Sequence, residues 1–246
     1  MKQFLLFSII FLFLFSCSYL PENEKVEMNY VQEETNDYIL IGEQENAYDT
    51  CFIFVPGGLV DPHVYMCWMN SFIEQNPNYC ILLLKVPSNL AIIDQNKVLR
   101  VMKKFPNIKT WVIGGHSLGG VVASAVVSIN PTYFSGLILM ASWPTESSSL
   151  ADWNGLVLSI YASNDGLATV DEIEANKQFL PSGIDIDTSY IFNKKENTTY
   201  YFEIIGGNHS GFGCYGLQKG DNQADITQKE QQKQFNSVIS KFIKSI

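Results

Sequence analysis

A serine hydroxyl becomes a nucleophile when the backbone presents it on a sharp turn and a base takes its proton. Residues 111–120 read Trp-Val-Ile-Gly-Gly-His-Ser-Leu-Gly-Gly, and Gly115-His116-Ser117-Leu118-Gly119 within them fits G-x-S-x-G. An apolar run precedes the motif and an Ala/Val-rich run follows it. That is the strand–turn–helix context the motif requires. Side chains two residues to either side of Ser117 would collide across such a turn, hence glycine at 115 and 119, and Gly120 lets the helix approach the sheet. No lysine follows the glycines, so they do not read as a phosphate-binding loop. His116 holds the variable position of the turn and reads as a structural residue beside it.

In this arrangement the acid follows the serine and the histidine follows the acid, each just past a strand. Of the three histidines, His63, His116 and His209, only His209 lies downstream of Ser117, in the glycine-rich stretch 206–211. Asp165 lies between them, directly after an apolar run, placed to accept the histidine Nδ1–H and favour the imidazolium that forms. Glu146, Asp171 and Glu172 are rivals. Glu146 comes one strand too early, and Asp171 and Glu172 suit the charged first turn of a helix. The developing oxyanion needs two backbone donors. The N–H of Leu118 is one, and Gly58, in Pro56-Gly57-Gly58-Leu59, is the preferred second, with Leu59 next.

The elements that must position these residues alternate along the chain. Apolar runs at 38–42, 51–55, 80–84, 110–113, 136–140, 155–161 and 200–205 suit strands buried on both faces of a parallel sheet. Helix-like segments at 64–74, 95–105, 118–129, 170–180 and 226–246 separate or follow them. In the last, Phe235, Val238, Ile239, Phe242 and Ile246 keep the i, i+3, i+4 spacing of one apolar face, and Thr227 with Glu230 predicts a capping box. The fold class expected is α/β, a three-layer α/β/α sandwich with a mostly parallel sheet, as one domain over 38–246.

The N-terminus carries Lys2, an apolar run over 4–15 and then Ser16-Cys17. The run is too short to span a bilayer. It predicts a signal peptide over 1–16, and the text before Cys17 resembles a bacterial lipobox, with Phe15 a departure from the usual smaller residue. Cys17 is the expected lipidation site, residues 17–37 a polar tether, and the bacterial cell envelope the expected location. Cys51, Cys67, Cys80 and Cys214 remain, with three possible pairings; mostly free, buried thiols are favoured over disulfides. With 16 basic residues against 25 acidic, a net charge of −9 and Arg100 the single arginine, the chain does not read as a nucleic-acid binder or a phosphate clamp. No spacing suggests a metal site or a cofactor.

Taken jointly, residues 55–62, 86–91, 114–120, 163–168 and 206–209 resemble the α/β-hydrolase superfamily, and more narrowly its bacterial fold-5 group near dienelactone-hydrolase-like proteins. The resemblance covers about 50–240 and implies a serine hydrolase fold with Ser117, Asp165 and His209 as triad. Dienelactone hydrolases use a cysteine nucleophile, from which Ser117 departs. Lids in this superfamily usually insert between the strand ending near Met140 and the next, and the short gap 141–154 leaves no room for a large one. Residues 60–69, with His63, Tyr65 and Trp68, and 212–215 are candidate aromatic pocket walls, or else core; Asn89 is a candidate for the site rim. The expected substrate is a small-molecule ester or acyl compound. The other readings are a thioesterase, peptidase or acyltransferase with the same triad, and a non-catalytic surface lipoprotein that keeps the fold for binding.

Overall fold

The computed structural model describes residues 18–22, 28–43, 48–193 and 197–246. Residues 1–16 and Cys17, the expected signal peptide and lipidation site, lie outside the described residues.

The apolar runs become strands because both of their faces are covered. β1 (Val31–Glu34), β2 (Tyr38–Ile41), β3 (Thr50–Val55), β4 (Tyr79–Leu84), β5 (Thr110–His116), β6 (Gly136–Met140), β7 (Leu156–Ala162), β8 (Gly183–Ile186) and β9 (Thr198–Ile204) form one sheet in the order β1-β2-β4-β3-β5-β6-β7-β9-β8. Pairing is parallel from β4 through β8; β2 runs antiparallel to β4, and β1 to β2.

Alternate side chains of each strand enter different cores, as a two-residue period demands. Phe52, Phe54, Ile138, Met140, Leu158 and Ile160 point to one face. There they meet α1 (Met66–Gln75) and α5 (Gln228–Lys244), through Trp68, Phe72, Phe235, Ile239 and Phe242. Ile53, Val55, Ile113, Leu137, Leu139 and Val157 point to the other. That face is covered by α2 (Lys97–Met102), α3 (Leu118–Ile129) and α4 (Val170–Asn176), through Val98, Val101, Val122, Val126 and Ile173. The three layers and the mostly parallel sheet are those expected.

Helix ends follow their caps. Thr227 accepts the N–H of Glu230 and the Glu230 carboxylate accepts that of Thr227, the reciprocal box expected there, contributing about 1 kcal/mol. Pro62 opens a 3-10 turn over Pro62–Tyr65 ahead of α1, so the predicted start at 64 splits in two. Among the described residues no helix is long and apolar enough to cross a membrane.

Two expectations are corrected. Residues 17–37 do not read as a free tether where they are described: Val31–Glu34 is an edge strand and Tyr19 bridges Val60. Backbone hydrogen bonding at a sheet edge needs no apolar pattern, so a polar sequence can still add a strand. Nor are the cysteines mostly free: Cys67 of α1 is bonded to Cys214, 147 residues away, whereas Cys51 and Cys80 are buried free thiols side by side on β3 and β4. Sequence spacing gave no hint of a pairing made by the return of the chain from β9 across α1.

Candidate active site

The turn between β5 and α3 is built as the motif requires. Ser117 has φ 53° and ψ −126°, a strained conformation for a residue with a side chain. A Cβ at Gly115 would lie 2.7 Å from the Gly119 carbonyl oxygen, and one at Gly119 would strike the Val55 carbonyl oxygen. At Gly120 it would come 2.6 Å from Ser142, whose Oγ–H donates to the Ser117 carbonyl at 2.8 Å. The Ser117 N–H donates to Met140 C=O at 2.9 Å, tying the turn to β6.

His209 and Asp165 are brought together in the core. His209 Nδ1 lies 2.8 Å from Asp165 Oδ2, with both side chains essentially without solvent contact. The other carboxylate oxygen, Oδ1, accepts the N–H groups of Leu167 at 2.8 Å and Ala168 at 2.6 Å. With Oδ1 occupied by those two donors, Oδ2 is the acceptor that faces Nδ1, and an Nδ1–H donated to it leaves the Nε2 lone pair free. His209 Nε2 is buried and hydrogen-bonds to no described residue, Ser117 Oγ included. The ring lies 4.4 Å from that of His116, the residue before Ser117, which sets it beside the turn.

His116 is fully buried and packs on Phe212 as well. Burial, and then the neighbouring His209, hold its pKa well below the usual histidine value, so it stays neutral. His63 lies away from the site, paired with Asp61 at 2.7 Å and Glu34 at 3.1 Å. Glu146 is exposed in a 3-10 turn, and Asp171 and Glu172 occupy the exposed first turn of α4. None of these three competes with Asp165 for His209.

The loop after β3 distinguishes Gly58 from Leu59. Gly57 N–H donates to Tyr65 Oη at 2.9 Å and Leu59 N–H to Asn89 C=O at 2.7 Å. Gly58 N–H lies between them with no such partner among the described residues, and neither has Leu118 N–H. The two residues adjoin: a Cβ on Gly58 would be 3.1 Å from Leu118 Cδ2.

Several supporting residues lie outside the motifs that carry the triad. Asp221 Oδ1 accepts the N–H groups of Gly166 and His209, and its Oδ2 accepts the N–H and Oγ–H of Ser210, so one carboxylate holds the acid loop and the histidine loop together. Gln231 of α5 is fully buried and makes a two-way amide pair with the Asn208 backbone, at 3.0 and 2.8 Å. Its place on the apolar face of the helix, four residues before Phe235, is a polar exception legible in the sequence. Tyr65, Trp68, Met69, Phe212 and Tyr215 belong to the core. Asn89 turns its amide to Ser18 Oγ at 3.0 Å. The β6–β7 connection holds only the 3-10 turn Glu146–Ser148. A cavity of about 690 Å³ lies at the opposite end of the sheet, between Pro131, Phe134, Trp153 and Ile246.

The architecture is shared widely among solved structures. Est1E from Butyrivibrio proteoclasticus superposes with a TM-score of 0.57 at 11% identity, over 85% of this chain and 94% of that one. The esterase domain of a Rhodothermus marinus protein gives 0.58 at 9%, over 83% and 90%. Dienelactone hydrolase from Anabaena variabilis gives 0.55 at 9%, over 88% and 98%. No curated protein matches the chain significantly in sequence. A family model does match, over residues 51–233, the stretch that contains the elbow, the acid loop and the histidine loop. The chain belongs to the alpha/beta hydrolase family.

Proposed function

We propose that the chain is a serine hydrolase of small to medium carboxylic esters, held at a bacterial envelope membrane by lipid on Cys17. Ser117 Oγ attacks the ester carbonyl carbon and its proton passes to His209 Nε2. The oxyanion that forms receives the N–H groups of Leu118 and Gly58. Asp165 steadies the imidazolium through Nδ1. Collapse breaks the ester C–O bond, and His209 returns the proton to the leaving alkoxide. Water then gives a proton to His209 as its oxygen attacks the acyl carbon, and a second collapse releases the acid and restores Ser117. The likeness to an esterase domain supports an ester as the substrate class.

The observation that carries this reading is the buried His209–Asp165 bond at 2.8 Å with Nε2 left unpartnered beside the elbow. A fluorophosphonate probe and a panel of p-nitrophenyl esters of rising chain length test it. Wild type should label and turn over at least one ester, and Ser117→Ala should lose both, with kcat down by several orders of magnitude. Equal turnover by Ser117→Ala sinks the assignment. A binding protein that keeps the fold is the second reading, favoured by the missing bond between Ser117 Oγ and His209 Nε2. Folded protein that stays unlabelled at every pH from about 6 to 9 supports that reading.

A further inference from the structure

We propose that the mouth of the site lies against the bilayer, and that the substrate is an ester whose acyl chain is already partitioned there. This rests on the hydrolase reading and narrows its substrate class.

The segment Ser18–Glu22 straps the rim of the site. Tyr19 N–H donates to Leu59 C=O at 2.8 Å and Asp61 N–H to Tyr19 C=O at 2.9 Å, a parallel bridge onto the loop that carries Gly58. Ser18 Oγ accepts the amide of Asn89, whose own carbonyl holds Leu59 N–H. On the other side the Tyr19 ring lies 5.6 Å from that of Tyr215, its Oη accepts Lys219 N–H at 3.3 Å, and Glu22 N–H donates to Cys214 C=O at 3.2 Å. Five residues thus join the loop after β3 to the loop that follows His209.

Residue 17 is one Cα step, about 3.8 Å, from Ser18. Because Ser18 is bonded to Asn89, a diacylglycerol on Cys17 would be joined to the body one residue from the rim of the site. The strap and its neighbouring loops add exposed apolar side chains, Leu20 (62% exposed), Ile92 (56%), Ile93 (59%) and Leu217 (47%). Ile92 and Ile93 follow Leu90, whose Cδ2 would be 3.8 Å from a Cβ on Gly58. Glu22, Asp61 and Lys219 stand on the same rim, charges of both signs, so the surface suits a zwitterionic bilayer.

The test uses full-length, processed protein on phosphatidylcholine vesicles, with a fluorophosphonate-linked dye on Ser117 and lipids carrying a nitroxide at the headgroup. At least a twofold loss of emission is expected, because the dye sits at the interface. Vesicle-bound, labelled protein that is not quenched overturns the proposal, and so does labelled protein that stays off the vesicles. Failure to label sinks the hydrolase reading instead, and a maleimide dye on Leu217→Cys then reports the orientation by the same quenching. For the substrate class, Leu20→Glu with Ile93→Glu should lower turnover of a vesicle-borne long-chain ester about tenfold relative to a soluble short-chain one, since each removes an apolar contact with lipid. Equal loss on both substrates overturns the membrane-borne substrate.

Discussion

The hydroxyl of Tyr65 lies 3.0 Å from Nδ1 of His116, and both residues are fully buried. The same oxygen accepts the N–H of Gly57 at 2.9 Å and keeps both a proton and a second lone pair with which to meet the ring nitrogen, in the direction that the His116 tautomer sets. One phenol therefore ties the loop of Gly58 to the residue that precedes the serine. Tyr65→Phe keeps the ring and removes both bonds, leaving a buried N–H and a buried ring nitrogen unpaired. Stability should fall by about 1–3 kcal/mol, read by denaturant unfolding. If the tie also aims Gly58, kcat should fall with KM nearly unchanged, while p-nitrophenyl esters report both.

Asp165→Asn should leave the fold in place and cut kcat by roughly ten-thousandfold, the cost of the wrong imidazole tautomer in serine triads generally. An amide that keeps its oxygen toward the Leu167 and Ala168 N–H groups, both now accepted by Oδ1, turns its NH2 toward His209 Nδ1 and favours the tautomer protonated at Nε2. Steady-state rates and circular dichroism together check this. Activity within tenfold of wild type would assign the acid to another residue.

Asp221→Ala removes the acceptor shared by Gly166, His209 and Ser210 N–H. His209 would keep its bond to Asp165 but lose the loop that aims it. The expected result is a fall in kcat of about 10–100-fold, as displacement of a positioned group by a fraction of an ångström produces, together with slower fluorophosphonate labelling. Unchanged labelling would show that Gln231 and Asn208 suffice to hold the loop.

His116 sets an acid limit on stability. Its folded pKa is depressed below the unfolded value of about 6.5, so the unfolded chain binds the extra proton as pH falls through that value. Stability from this group is whole above 6.5 and declines below it. His63 has the opposite sign: Asp61 first, and then Glu34, raise its pKa, so its contribution is whole below 6.5 and is lost as pH rises through the folded value. His116→Gln should flatten the loss of stability between about pH 6.5 and 5 in urea titrations, and His63→Gln should flatten the loss as pH rises above about 6.5. An unaltered acid slope in His116→Gln would show that the ring is not held neutral.

Strands β2 to β7 and β9 are legible because a strand covered on both faces must be largely apolar. β1 and β8 are not, since Val31-Gln-Glu-Glu and Gly-Ile-Asp-Ile are edge sequences with few apolar residues, paired chiefly through the backbone. The elbow was legible for a steric reason: nothing but glycine fits at 115 and 119. Asp165 and His209 followed from their order after strands. Asp221 did not, because a loop carboxylate satisfied by backbone N–H groups has no periodicity and no fixed spacing. The Cys67–Cys214 pairing was equally hidden, being set by how α1 and the loop beyond His209 meet in space.

That pairing has a consequence for when the site is completed. By the chain-entropy relation a cross-link closing 147 residues is worth about 5 kcal/mol, a large share of a domain's net stability. It fastens the segment just past His209 to α1, and the strap at Glu22 in turn hydrogen-bonds to Cys214 C=O. With both thiols reduced, the corner keeps its backbone bonds and the packing of Phe212 and Tyr215 in the core but loses that cross-link. Oxidation of the two thiols thus sets the histidine loop and the strap in register with α1, and the reduced chain keeps a looser, less durable version of the same corner.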